Sequence, residues 1–211
     1  RIALACVAEY GSPNIHTAIA GLKTGEPPEK CRELILEGLQ GIRDRYDCAD
    51  FYLVALFRFW RDYRNSGLFD EAFWAEIRET ILGFRYWIDE PGDDVMWFFS
   101  ENHALLFHTC QLLAGQLFPR ERFVSSGETG EQRRAKAERL LEAWFDRFFA
   151  EGLAEWNSSA YIPIDILGFV HLHDLAEHPE LREKAKRAMD LLFHYMTAEA
   201  HEGILASTFG R

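Results

Sequence analysis

The chain has 211 residues, 48% of them apolar, which is enough for a substantial core and rules out a disordered segment. Its 23 Lys and Arg stand against 34 Asp and Glu, a net charge of −11, so it lacks the basic surface that nucleic acids or anionic membranes need. No apolar run approaches the roughly 18 residues of a membrane span, because Phe51 to Phe59 is short and carries Arg58, with Arg61 and Arg64 close behind.

Arg1 to Gly25 reads as two short helices broken at Gly11-Ser12-Pro13, with Leu4, Val7 and Ala8 on one apolar face and Ile15, Ala18, Ile19 and Leu22 on the next. Thr24-Gly25-Glu26-Pro27-Pro28 is a stop followed by a helix start. Cys31, Leu34, Ile35, Leu39 and Ile42 then recur at helical spacing, so Pro28 to Arg43 is amphipathic. Asp50 to Trp60 is apolar all round. Asp70 to Ile88 is amphipathic through Phe73, Ile77, Ile81, Phe84 and Ile88. Ser100 to Leu117 is again apolar all round, and Phe118-Pro119 ends it; Arg120 to Val124 reads as extended. Glu131 to Ala150 is amphipathic, Tyr161 to Leu172 is apolar all round, and Leu181 to Met196 completes a last amphipathic helix.

One-faced helices therefore alternate with helices that are apolar on every side, and the latter have to be surrounded by protein. The arrangement that satisfies this is all-α: an (α/α) toroid, or an incomplete one, of antiparallel helical hairpins with amphipathic helices outside and buried ones inside. Residues 1–211 read as one such segment. If every second helix is inner, the inner helices run parallel and present their N-terminal ends, Asp47 to Tyr52, Ser100 to His103 and Asn157 to Tyr161, on one rim. Helices packed about 8–10 Å apart bring such starts within reach of a common ligand. An open helical-repeat scaffold that binds a protein or glycan is the alternative; its repeats would be more uniform than these, and the long Ile88 to Phe99 and Pro119 to Gly130 connections suit a site.

The four cysteines form no C-x-x-C pair; Cys6, Cys31 and Cys110 read as core residues, and Cys48, at a helix start, as more exposed. No signal segment is readable and the chain begins at Arg1 without Met, so localisation is not legible.

The residues suited to chemistry lie at two helix starts. Ser100 is placed to cap a helix whose first turn holds Glu101, Asn102 and His103. The helix dipole there depresses a histidine pKa and favours negative charge, so His103 could accept a proton while the Asn102 amide holds a carboxylate or enolate oxygen. Tyr161 opens the next buried helix and could deliver a proton to a leaving oxygen. An Asn-His pair at one inner helix start followed by such a Tyr resembles the uronate polysaccharide lyases of the alginate lyase and heparinase II/III type. The resemblance covers about Trp97 to Asp174. It implies β-elimination on a uronate-containing oligo- or polysaccharide, with Asn102 neutralising the uronate, His103 as base or its assistant and Tyr161 as acid, and no cofactor. Those enzymes carry further catalytic residues and a β-sheet domain downstream. Gly203 to Arg211 accordingly reads as leading into more structure and the chain as part of a larger protein.

The carboxylates support a second enzyme reading, an inverting glycoside hydrolase acting on a neutral glycan. Glu101 and Glu155 sit near the rim, with Asp93, Asp94 and Asp165 close in sequence, and Trp97 and Trp156 are suited to stacking on sugar rings. A helix start lowers a carboxyl pKa, so Glu155 is the better acid of the two. Asn157 completes the candidate substrate-binding residues at the rim, and for the polyuronate substrate, which the acidic net charge suits poorly, Arg120 and Arg122 are the local cluster that would offset it. His171, His173, Asp174 and His178 match no metal-ligand signature and read as residues of a helix-ending loop, so no metal site is expected. His108 reads as a core histidine.

Overall fold

The computed structural model describes residues 2–12, 14–94 and 96–207, without the side chain of Tyr10. Pro13 of the first predicted break and the last four residues of the predicted tail, Thr208 to Arg211, lie outside the described residues. The described chain is all-α apart from a hairpin of two-residue strands, β1 (Ala200–His201) and β2 (Ile204–Leu205). No helix among the described residues is long and apolar enough to cross a membrane. Where the sequence reads as one helical segment, packing gathers the residues into two compact units. The first is Arg1–Met96 with Arg122–Gly127, and the second is Trp97–Glu121 with Glu128–Arg211.

The first unit holds α1 (Ile2–Tyr10), α2 (Ile15–Thr24), α3 (Pro28–Arg43), α4 (Ala49–Tyr63) and α5 (Glu71–Gly83). Local chemistry accounts for most of the boundaries. The Asn14 side chain caps α2 by accepting the Thr17 N–H, and Gly25 ends it in the left-handed region at φ 97°. Pro28 opens α3, where its missing N–H removes no helical bond. Asp70 caps α5 by accepting the Phe73 N–H at 2.8 Å. Two expectations are corrected here. Helix α5 stops at Gly83, well before Ile88, because Phe84 turns extended and the Arg85 guanidinium donates to the carbonyls of Ile88 and Glu90 and to Asp94. That buried cation organises the connection as a loop, so Ile88 is exposed although its spacing continues the helical pattern. Cys6 is exposed as well, since α1 leaves most of its surface uncovered, whereas Cys31 and Cys110 are buried as expected.

The second unit holds α6 (Glu101–Leu117), α7 (Gly130–Glu151), α8 (Ile162–Leu175) and α9 (Pro179–Ala198). Its polar contacts fix the directions. Asn102 at the start of α6 bonds Glu155, just before α8, and Gln116 at the end of α6 bonds the Leu175 carbonyl and the Glu177 N–H, just after it. Helices α6 and α8 are therefore parallel. Helix α7 runs back along α6: Gly130 begins beside Gly115, and Trp144 Nε1 donates to the Glu101 carbonyl oxygen at 3.2 Å. Helix α9 follows α7, with Lys184 paired to Glu142 and the Arg187 guanidinium over the Phe149 ring. Between them Leu105, Leu112, Phe145, Phe148, Phe169 and Leu181 form one core cluster. A Thr129–Gln132 capping box starts α7. Helix α6 is buried nearly all round, as its sequence requires. Helix α8 is not: it buries Ile162, Asp165, Gly168, Phe169, His171 and Leu172 and leaves Ile164, Leu167 and Val170 half-covered. Its opposite side thus carries less neighbouring structure than an all-round apolar helix implies.

The α6–α7 crossing depends on the absence of a side chain at Gly115. A Cβ there would lie 2.5 Å from the Gly130 carbonyl oxygen and 2.9 Å from the backbone nitrogen of Arg134. Gly41 in α3 has nothing within 4 Å of the same position. Gly115→Ala is therefore expected to destabilise by about 1–3 kcal/mol through overpacking, while Gly41→Ala gains up to about 1 kcal/mol from helix propensity alone. Urea unfolding midpoints moving in opposite directions for the two variants check this pair.

Candidate functional site

Ser100 supplies the cap that places the three candidate side chains Glu101, Asn102 and His103 on the first turn of α6, its Oγ accepting the His103 N–H at 3.4 Å. Because α7 is antiparallel to α6, its last turns pass the same point and bring Trp144 and Arg147, three residues apart on one face, alongside Glu101. After Gly152 ends α7 at φ 81°, residues 152–161 fold back over the α6 start. Three contacts hold that segment. The Glu155 N–H donates to Glu101 Oε2 at 3.1 Å, Asn102 Nδ2 lies 2.7 Å from each carboxylate oxygen of Glu155, and the Asn157 amide donates to the Ala206 carbonyl. Ser158, buried, accepts the Tyr161 N–H and so starts α8. Asp165, on the first turn of α8, is fully buried.

Three carboxyl groups thus share one low-dielectric place. Burial pushes the Asp165 carboxyl up to about 9, and the charges of Glu155 and Glu101 add to the shift. Neither Asp165 oxygen, nor the Asn102 carbonyl oxygen, finds a hydrogen-bond partner among the described residues. Glu101 is also raised: burial outweighs the N–H groups of Glu155 and Ala154 that it accepts, and Glu155 adds repulsion. The helix start therefore does not lower the Glu101 carboxyl as expected from its position. The dipole is a field of a fraction of a charge at the helix end, and desolvation together with a neighbouring carboxylate exceeds it.

The cluster opens onto a cavity of about 350 Å³. Trp97, Phe99 and Trp144 form its apolar walls, Glu101 and Glu155 its acidic part, and Arg147 adds one cation. Trp97 and Phe99 are 50% and 73% exposed, so two large rings stand free at the mouth. The arrangement has one carboxyl whose pKa burial raises, a second carboxylate positioned by an amide, and flat apolar faces. Such a set can transfer protons to and from a bound neutral molecule.

Of the residues singled out from the sequence, Glu101, Glu155 and Trp97 meet in this cavity, and Asn102 stands directly behind Glu155. His103 is buried, with its ring 6.2 Å from that of Phe107, and Tyr161 is half-buried at the start of α8; neither lines the cavity. Trp156 and Asn157 line a different hollow in the same unit. Arg120 lies away from this cavity, exposed beyond the C-terminal end of α6, roughly 25 Å along the helix from Glu101 at 1.5 Å per residue. Arg122, also exposed, belongs to the first unit and donates to the Gly127 carbonyl. Asp94 is likewise structural, paired with Arg45 and Arg85. The cation that does reach the cavity, Arg147, and its neighbour Trp144 were readable only as part of an amphipathic helix; the antiparallel return of α7 is the signal that selects them. Comparison of the chain with family models, curated proteins and solved structures finds no match, and the functional reading rests on the geometry of this site.

Proposed function

We propose that the second unit is a carbohydrate-active enzyme domain that hydrolyses a glycosidic bond of a neutral glycan. The observation that carries the reading is the placement of Glu101 and Glu155 in one cavity walled by exposed aromatic rings. Glu101, whose pKa burial raises, gives its proton to the glycosidic oxygen as the bond from that oxygen to the anomeric carbon breaks. Glu155 takes a proton from water as the water oxygen bonds that carbon. The acid and base assignments inferred from sequence are thereby exchanged. Trp97 and Trp144 hold the sugar by its apolar faces. Asp165, neutral beneath them, keeps a third negative charge out of the site.

We also propose that the helices of the second unit form an arc of an (α/α) toroid. What supports it is that within the second unit α6 and α8 run parallel, as do α7 and α9.

Elimination on a uronate glycan is the second reading, and one observation favours it. The Asn102 amide already grips a carboxylate, that of Glu155, as it would grip a uronate. A uronate would have to displace Glu155 to make that contact. Product analysis separates the two. With neutral polysaccharides the protein is expected to release new reducing ends without ultraviolet absorbance. An absorbing unsaturated uronate from an acidic polysaccharide would replace hydrolysis with elimination, and neither product from either class would leave a scaffold. The pH profile adds a check. Because Glu101 must be protonated to act, the alkaline limb of kcat/KM is expected above the ordinary glutamate value of about 4.3.

A further inference from the structure

The segment that carries Glu155 into the acidic cavity also walls a second hollow of about 440 Å³, through Gly152, Leu153, Trp156 and Asn157. Its inner surface is aliphatic: Ile162 and Leu192 are buried, and Leu153 and Met196 are half-buried beside them. At the mouth stand the rings of Trp156 and Tyr195, 6.2 Å apart and edge to face, 52% and 38% exposed. A sugar is a poor occupant, since its hydroxyls would be buried against aliphatic carbon with nothing to bond. The size suits a small apolar molecule.

The charged residue that lines the hollow is acidic, and Asn157 beside it spends one of its two amide N–H groups on the Ala206 carbonyl. Glu151 lines the hollow at the C-terminal end of α7, where the helix carries its negative pole. Arg147, its loose partner at 3.5 Å with both side chains about 70% exposed, faces the acidic cavity instead. Aromatic faces likewise attract cations. An apolar body is favoured inside, a positive charge at the mouth, and a carboxylate or phosphate is repelled.

We propose that this hollow is a second ligand site, for a small aromatic amine bound with its ring against Ile162 and Leu192 and its ammonium beside Glu151 and the Trp156 and Tyr195 rings. It is independent of the hydrolytic reading. Calorimetric titration of the 211-residue chain with tryptamine, indole and indole-3-acetate tests it, because the three share a ring and differ in charge. Tryptamine is expected to saturate one site, indole to bind about tenfold more weakly, and indole-3-acetate not to saturate. Met196→Trp, which fills the hollow from a half-buried position, and Trp156→Ala, which removes a ring at an exposed one, are each expected to weaken tryptamine at least about tenfold. Absence of saturable tryptamine binding overturns the proposal. So does equal affinity for all three compounds, or full binding in Trp156→Ala.

Discussion

Replacing Asp165 with Asn is expected to make the protein more stable in mild alkali and less stable in acid, so that the two stability curves cross. The carboxyl ordinarily titrates near 3.8 and is pushed up to about 9 by burial beside Glu155 and Glu101. Between those values the folded chain holds a proton that the unfolded chain has released. Stability contributed by this group is therefore complete below about pH 4 and declines by about 1.4 kcal/mol per pH unit until the carboxyl ionises in the fold as well. Asn has no such slope. Its second N–H needs a partner in a place where neither Asp165 oxygen finds one, which costs about 1–3 kcal/mol, and that cost is felt alone at low pH. By pH 8 the relief from the linked proton is larger. Urea unfolding of parent and variant from pH 4 to 9 checks this, and parallel curves would mean that Asp165 does not hold its proton in the folded chain.

The second large effect is expected on activity. Glu155→Gln keeps the shape of the side chain but cannot take a proton from water, and kcat is expected to fall by about 10²- to 10⁴-fold. Glu101→Gln gives a contrasting pattern. It removes the acid, so cleavage of an unactivated glycoside falls by a similar factor. A glycoside with a good leaving group, such as nitrophenolate, needs no acid and is cleaved at nearly the parental rate. Glu155→Gln loses both substrates together. The same rate for both variants on both substrates would remove these residues from the chemistry. Loss of Glu155 also removes a repulsive charge from Asp165, so the pH dependence of stability is expected to become shallower in Glu155→Gln even where activity is absent.

The helices were legible because their signals are local. Pro28 and Arg43 bound α3 as its pattern requires, and Ser100 caps α6. The α5 stop was not, because it depends on Arg85 bonding carbonyls that helical spacing cannot reveal. The half-covered face of α8 was hidden for the opposite reason: composition says which side chains seek burial, and only packing says whether a neighbour meets them. In the site, Glu101, Glu155 and Trp97 were legible as polar and aromatic residues at helix starts. The partition of Trp156 from Trp97 into separate hollows was not, since Glu155 and Trp156 are adjacent in sequence and face different cavities. Nor was the raised Glu101, which depends on burial that only packing reveals, with the Glu155 carboxylate from a distant part of the chain adding to it.

The Gly115 crossing has one more consequence. Two backbones with no room for a methyl group between them cannot slide, so the far end of α6 acts as a fixed pivot for everything built on its first turn. The ten residues between α7 and α8 have no helical ladder of their own, and their position depends on the side chains that this fixed first turn presents to Glu155. Amide exchange should find slow protons through α6 and faster ones in the strip, with the Glu155 N–H, held by Glu101, the slow exception within it.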